Sequence, residues 1–317
     1  MAPRRILVTG AGGFVAGHLV PLMRAAFPDA ELVACGLAKL DVTDPVGVAG
    51  TVAELRPNAC VHLAAVSAVP AARRDPWRAW RVNLHGTLAL AEAILREVPD
   101  CLFLFPSSAE AYGGSFRAGG ALDESARLAP LNLYAATKAA ADLALGAMVE
   151  DGLRLIRFRP FNHTGPGQSS AFVVPAFARQ IARIEHGLQP PVLQVGTLAP
   201  ERDFLDVRDV CAAYVACLER ADSLPPGTVF NLASGTPRRI GDVLAALIAL
   251  AGIAPRVETA AGLLRPSEIT RAVGDAVAAR SALGWTPVIP WQQTLADVLD
   301  DWRRRVLSEP ASPRDIG

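Results

Sequence analysis

Lysine is almost missing from this chain. Of 31 basic residues only Lys39 and Lys138 are lysines, leaving 29 arginines, and there are only three tyrosines, Tyr112, Tyr134 and Tyr214. An excess of either charge is missing too: 31 basic residues balance 31 acidic ones over 317 positions. That balance removes the broad field that recruits nucleic acid or an anionic membrane, so neither is an expected partner. The five cysteines, Cys35, Cys60, Cys101, Cys211 and Cys217, are odd in number and show no C-x-x-C or Cys/His spacing. They read as reduced, buried thiols of a cytoplasmic protein, with no metal expected. No apolar run reaches membrane length, and Arg4-Arg5 precede only Ile6-Leu7-Val8 before Thr9-Gly10, too short for a signal peptide.

What is present is ample core material, 51% hydrophobic residues, enough for one large domain or one domain with a smaller partner. Short β-rich runs alternate with Ala/Leu-rich helical runs through the first half, the pattern of βαβ units feeding a parallel sheet. The spacing predicts strands at Ile6–Thr9, Glu31–Ala34, Cys60–Leu63, Cys101–Pro106 and Leu153–Arg159. Helices are predicted over Gly13–Phe27, Pro45–Arg56, Trp77–Glu97 and Leu131–Val149. After Phe161 prolines, glycines and loops replace the alternation, with helices predicted at Phe172–His186 and Ile240–Ala251. The expected fold is α/β: a doubly wound parallel sheet over residues 1–160, rejoined by a helix and strand at 207–232. A smaller interleaved domain is expected from 161–206 and 233–317, ending in a loose polar tail from Ser308.

Ile6-Leu7-Val8-Thr9 runs into Gly10-Ala11-Gly12-Gly13-Phe14-Val15-Ala16-Gly17, a glycine-rich turn between an opening strand and a helix. There, backbone can approach a pyrophosphate and the helix N-terminus offers free N–H groups and a positive dipole end. Gly10, Gly12 and Gly13 are therefore candidate dinucleotide-binding residues, with Ala16 where a third glycine is common. The end of the second strand holds no acidic residue to clasp a ribose 2′-hydroxyl; Cys35-Gly36-Leu37-Ala38-Lys39 follows instead. Lys39 either meets a 2′-phosphate or is a solvated loop lysine, so NADP(H) is favoured slightly and NAD(H) stays open. Asp41 is placed at the adenine edge.

Tyr134-Ala-Ala-Thr-Lys138 is the most informative stretch. Random placement of three tyrosines and two lysines would give roughly 0.02 such pairs, and arginine, used everywhere else for positive charge, has a different shape and stays protonated. On a helix the two side chains lie one turn apart on one face. A nearby ammonium favours the phenolate, so Tyr134 is expected to have a lowered pKa and to act as a general acid or base. Ser108, at the end of the fourth strand, is expected to hold the substrate oxygen.

In this order, Thr9-Gly10-x-x-Gly13-Phe14, His62-Leu63-Ala64-Ala65, Asn83-x-x-Gly86-Thr87, Ser107-Ser108 and Tyr134-x-x-x-Lys138, the sequence resembles the extended short-chain dehydrogenase/reductase family over essentially its whole length. The resemblance implies a Ser108–Tyr134–Lys138 triad in which Lys138 also binds the nicotinamide ribose, with Asn83 supporting the active-site helix. It also implies cofactor contacts at Phe14, Val15, Val42, Leu63, Ala64, Ala65 and Phe161, and a homodimer packed through Trp77–Glu97 and Leu131–Val149.

Within that family the second half is similar to reductases of GDP-linked 4-keto-6-deoxysugars, which form GDP-rhamnose. The similar segments are Arg159–Gln168, Phe172-Val173-Val174-Pro175, Val195-Gly196, Arg202–Asp209 and Leu264-Arg265-Pro266-Ser267-Glu268. Substrate contacts are expected from Asn162, Val174, Arg179, Arg202, Arg265 and Glu268, whose amide, guanidinium and carboxylate groups suit a diphosphate and a ribose. His163 reads as a hydrogen-bonding loop residue.

Related 4,6-dehydratases add a catalytic carboxylate, and Glu110 stands at that position, so a dehydratase or 4-epimerase with recycled cofactor is the alternative. A non-catalytic dinucleotide sensor is a remote third. Thr164-Gly165-Pro166-Gly167 replaces the arginine-rich loop of the dehydratases, which favours the reductase. Gly196-Thr197 in place of Gly-Asn alters one contact near the sugar nucleotide.

Overall fold

Ile6, Leu7 and Val8 are apolar in unbroken succession because the strand they form is covered on both faces, and all three are fully buried. The fold is described from a computed structural model, which describes residues 3–264 and 269–309. The expected contacts Arg265 and Glu268, and the tail beyond residue 309, lie outside the described residues. The first half runs β1 (Arg5–Thr9), α1 (Phe14–Ala26), β2 (Glu31–Cys35), α2 (Pro45–Leu55), β3 (Ala59–His62), α3 (Val69–Arg74), α4 (Pro76–Trp80), α5 (Thr87–Glu97), β4 (Leu102–Pro106), α6 (Leu133–Ala147) and β5 (Leu155–Pro160). Local chemistry sets the helix starts. Asp44 caps α2 by accepting from the Val46 N–H at 3.1 Å with Pro45 behind it, and Asn132 caps α6 by accepting from the Ala135 N–H at 2.9 Å.

The remaining elements are β6 (Asn162–Thr164), α7 (Val173–Glu185), β7 (Val192–Val195), β8 (Glu201–Asp206), α8 (Val207–Glu219), β9 (Val229–Leu232), β10 (Pro237–Arg239), α9 (Ile240–Ala251), β11 (Arg256–Thr259), β12 (Arg271–Ala272), α10 (Val277–Leu283) and α11 (Trp291–Val306). Six strands form one parallel sheet in the order β2-β1-β3-β4-β5-β9. One face packs on α2, α5 and α6 through Val48, Val52, Leu90, Ile94 and Leu145; the other packs on α1 and α8 through Leu19, Met23, Val210 and Tyr214. This is a doubly wound, Rossmann-like α/β fold, and its crevice opens where the strand order reverses, at the carboxyl ends of β1 and β3. A smaller sheet, β10-β8-β12 with β6 on β8, and a β7–β11 pair support a second core where Phe177 and Ile181 of α7 meet Leu244 of α9 and Leu295 and Trp302 of α11.

One expected helix is broken. The run Trp77–Glu97 does not form a single α-helix: α4 stops at Trp80, residues Arg81–Gly86 form a π-turn, and α5 begins at Thr87. The cause is Asn83, whose side chain accepts from the Val66 N–H at 2.7 Å and donates to the Val66 carbonyl at 3.1 Å and to Thr137 Oγ1 at 2.9 Å. Widening the turn aims this amide at both the loop after β3 and helix α6.

His62 knots the same region together. The Ala64 N–H donates to Thr9 Oγ1 (3.2 Å), the Thr9 hydroxyl to His62 Nδ1 (2.7 Å), His62 Nε2–H to Thr87 Oγ1 (2.9 Å), and the Thr87 hydroxyl to the Asn83 carbonyl (2.8 Å). That chain of donors assigns the neutral Nε2–H tautomer. Burial, reinforced by the charge of Lys138, pushes the imidazole pKa down to about 3 from the ordinary 6.5. The unfolded chain binds a proton throughout that window and the folded one does not. Stability is therefore fully present above about pH 6.5 and falls as the pH falls towards 3, by up to roughly 5 kcal/mol. Urea unfolding between pH 7 and 4, compared with His62→Asn, isolates this contribution: the variant should lose less stability on acidification, and equal pH slopes would rule it out.

Candidate active site

The glycine turn has the geometry that a pyrophosphate requires. Gly10 sits at φ +69°, and a Cβ there would lie 2.6 Å from the Ala64 nitrogen, so only glycine lets β1 and the loop after β3 approach this closely. The turn closes with Gly13 N–H donating to the Gly10 carbonyl at 2.9 Å, and α1 begins at Phe14 with no side-chain cap. Its first N–H groups are left for a ligand. At Gly12 an added Cβ would meet nothing within 4 Å. Across the crevice the Ser107 hydroxyl is buried and has no hydrogen-bond partner among the described residues. An open cradle of free N–H groups with an unsatisfied hydroxyl opposite fits a dinucleotide cofactor.

Around the cradle, Val15 follows Phe14 in the first turn of α1, Leu63, Ala64 and Ala65 form the half-buried loop after β3, and Val42 is buried against Gly86. Lys39 is exposed on the loop after β2. Asp41 Oδ1 accepts from Thr43 N–H (2.9 Å) and Thr43 Oγ1 (2.8 Å); these bonds, then the charges of Arg81 and Arg78, hold its carboxyl below the usual range. Phe161 departs from expectation. Its ring is buried in an aromatic cluster with Tyr112 and Phe116, and only its backbone faces the next loop, where its carbonyl bonds His163 Nδ1 at 3.0 Å.

Tyr134 and Lys138 lie one turn apart in the first half of α6. The Tyr134 phenol is hydrogen-bonded to the Ser108 side chain, and burial pushes its pKa up to about 12 against the lowering effect of that bond, with the Glu110 charge adding to the rise. Lys138 goes the other way. Burial lowers its ammonium to about 8, opposed by the charge of Asp142. Lys138 Nζ donates to the Pro106 carbonyl at 2.5 Å and lies 4.5 Å from the centroid of the Phe105 ring. Lys138 thus reaches the end of β4 while Ser108 holds the Tyr134 phenol, whose raised pKa favours its protonated form.

Ser108 ends β4's trailing loop and caps a 3₁₀ segment, Ala109–Ala118, accepting from the Glu110 N–H at 3.2 Å. Glu110 Oε2 accepts from Asn132 Nδ2 at 3.1 Å, so the amide that caps α6 also ties that helix to the Ser108 segment. Sequence reading did not pick out Asn132, although a cap residue just before Tyr134 was there to be seen. Glu110 acts in turn on Arg202, a half-buried β8 residue whose Nη1 and Nη2 donate to the carbonyls of Glu201 (2.8 Å) and Ile269 (3.2 Å). The charge of Glu110 is thus felt at β8.

Other expected substrate residues are scattered. Asn162 is exposed at the start of β6; Val174 is buried in the second core, which turns its side chain away from solvent. Arg179 is forked onto Glu309, Nε to Oε1 at 2.7 Å and Nη2 to Oε2 at 2.9 Å. Arg238, which sequence reading passed over among 29 arginines, lies directly opposite Arg202 on β10 and stacks 5.0 Å from the Trp291 ring centroid. His163 stacks parallel to Phe14 at 6.4 Å and His18 Nε2 bonds the Pro166 carbonyl at 2.8 Å, so α1 touches the Thr164–Gly167 loop directly. Among the described residues no group of three or more His, Cys, Asp or Glu could hold a metal, and no helix is long and apolar enough to cross a membrane.

Comparison with known proteins agrees with this geometry. The profile of the NAD dependent epimerase/dehydratase family matches residues 6–233. The chain is 36% identical to GDP-6-deoxy-D-mannose reductase of Pseudomonas aeruginosa over 96% of its own length and 99% of that protein's. It superposes on the structure of RMD from Pseudomonas aeruginosa complexed with NADPH with a TM-score of 0.84 at 35% identity, covering 95% of this chain and 99% of that one. The NAD complex of UDP-glucose 4-epimerase from Thermus thermophilus follows with a TM-score of 0.81 at 28% identity, covering 94% and 99%. With the glycine turn, the Rossmann-like sheet and a profile match over most of its length, the chain belongs to the NAD dependent epimerase/dehydratase family.

Proposed function

We propose that the protein is an NADPH-dependent reductase of a GDP-linked 4-keto-6-deoxyhexose, giving GDP-D-rhamnose or a close relative. The observation that carries this reading is the half-buried Tyr134 phenol one turn from Lys138 on α6, with Ser108 bonded to it and its pKa raised. Ketone reduction needs a proton donor at the oxygen, and a phenol of this kind is one. Bound reduced nicotinamide supplies the hydride. Ser108 holds the substrate oxygen, Tyr134 gives it a proton as negative charge develops, and Lys138 places a buried positive charge beside the reacting region and binds the nicotinamide ribose. The similarity to a GDP-6-deoxy-D-mannose reductase supports the substrate, with residues 161–206 and 233–317 as the nucleotide-sugar half and Asn162, Arg202, Arg265 and Glu268 at the diphosphate and ribose. Glu110, tied to the Asn132 amide, serves the architecture of the site and leaves the dehydratase reading second.

Mixing the protein with a GDP-linked 4-ketosugar and NADPH tests the reaction. Stoichiometric loss of the NADPH absorbance is expected; catalytic conversion with the cofactor unchanged would mean a dehydratase or epimerase. Tyr134→Phe should lower kcat by about 10²–10⁴-fold with NADPH binding intact by fluorescence titration, and near-normal turnover would sink the mechanism.

NADP(H) is favoured because β2 ends at Cys35 with no acid and the exposed Lys39 stands on the following loop. Lys39→Ala should raise KM for NADPH roughly fivefold and leave KM for NADH unchanged; equal effects on both would remove Lys39 from the 2′-phosphate.

A cytoplasmic homodimer is part of the same reading. Trp77 is 80% exposed on α4 and Leu143 61% exposed on α6, two helices in contact with each other, and a partner would cover both. Light scattering should give twice the 33.4 kDa chain mass, and Trp77→Glu should shift it towards monomer.

A further inference from the structure

Behind the catalytic face of α6 lies a second charged group that the reaction as described does not use. Asp142 is one turn beyond Lys138, and its carboxylate is fully buried. Arg159 grips it with a two-point fork, Nε to Oδ2 and Nη2 to Oδ1, both at 3.0 Å, and Arg157 Nη1 adds a third bond to Oδ1 at 3.1 Å. Both arginines come from β5, and Arg157 crosses α6 beside Gly146, where an added Cβ would lie 2.5 Å from its Nη1 and displace the guanidinium. Arg159 also extends forward, Nη1 donating to Tyr112 Oη at 3.1 Å and to the Glu124 carbonyl at 3.0 Å. Tyr112 belongs to the 3₁₀ segment that begins at Ser108. One guanidinium therefore joins the helix of Tyr134 and Lys138 to the segment of Ser108.

We propose that Asp142 is a positioning residue for the reaction, the counter-charge of the buried Lys138 ammonium, itself fixed from behind by Arg159 and Arg157. The inference rests on the reading above that Lys138 acts in the reaction. A buried ammonium bonded, among the described residues, to a carbonyl and an aromatic face holds its proton poorly, and a carboxylate one turn away opposes that loss. The titratable and charged groups around the pair are Arg157 and Arg159 of β5, Tyr112 and Glu110 of the 3₁₀ segment, Glu124 of the next loop and the neutral His62 of β3. From α3, α4, the π-turn and α5, which also pack on α6, no charged group bonds either side chain among the described residues.

The pH profile of kcat/KM for reduction reads the device. With burial lowering the ammonium to about 8, the alkaline limb reads the Tyr134–Lys138 pair, and a charge placed beside Lys138 displaces it. Asp142→Asn removes the negative charge and should move that limb down by about one unit, and Asp142→Glu should restore it. Arg157→Gln removes a competing positive charge and should move the limb up. A merely structural role lowers melting temperature and active fraction in all three variants without displacing the limb, let alone in opposite directions. If Asp142→Asn fails to fold, Arg157→Gln alone decides: an upward shift supports the proposal and an unmoved limb overturns it. Lys138→Met separates the two levels. Wild-type turnover in that variant means the reading of the site is wrong; loss of turnover in it, with unmoved limbs in the others, overturns only the role of Asp142.

Discussion

Lys138 takes its charged head out of water and Tyr134 is half-buried beside it, and the free energy of that desolvation governs how the elements around them are built. Burial drives a phenol and an ammonium in the same sense, towards the neutral form, raising one pKa and lowering the other. Left alone, such a site would keep a proton on the phenol and lose the positive charge beside it. On the lysine side the Pro106 carbonyl and the Phe105 ring face the ammonium, and the charge of Asp142 one turn along the helix opposes the loss of its proton. The phenol receives one hydrogen bond, from Ser108, and remains an acid.

That asymmetry explains why so much of the polar wiring runs through α6. Asn132 caps it and holds Glu110; Thr137 takes a bond from Asn83; Asp142 takes three from β5. A helix packed by apolar contacts alone can slide or rotate by a fraction of an ångström at little cost, which catalytic geometry does not tolerate. Fixing α6 at its cap, its middle and its far half removes that freedom. The broken helix at Arg81–Gly86 belongs to the same scheme, since the π-turn places Asn83 between Val66 beside the cofactor cradle and Thr137 beside Tyr134.

How much of this could be read from the sequence follows the range of the interactions. The glycine turn, the strand–helix alternation and the Tyr134/Lys138 spacing are local, so they were legible: the turn shows in glycine placement, the sheet in apolar runs, the pair in one helical turn. The π-turn was not, because Asn83 and Gly86 weaken the helix without saying how it will break, and the cause of the break is a contact with Val66. The shared helix face of Tyr134 and Lys138 is local, but the bond from Lys138 to the Pro106 carbonyl is distant in sequence and was not legible. Phe161 and Val174 carry the right motifs, yet their side chains serve the core. Arginines are the hardest case. In a chain that uses arginine for nearly all its positive charge, nothing in composition separates Arg159, locked onto Asp142, from Arg238, stacked on Trp291 opposite Arg202.

The state of the protons also bears on the direction of the chemistry. A dehydratase must remove a proton from carbon and return it elsewhere, which calls for a carboxylate free to move between acceptor and donor roles. Glu110 is poorly placed for that part, because one of its oxygens holds the cap of α6 and its charge faces Arg202, and moving a proton onto it would loosen both. Reduction asks less. It needs one proton delivered to one oxygen from a group that is protonated at rest, and then replacement of that proton from solvent. On the proposed reading, a half-buried phenol that favours its neutral form performs that step without rearrangement of the surrounding network.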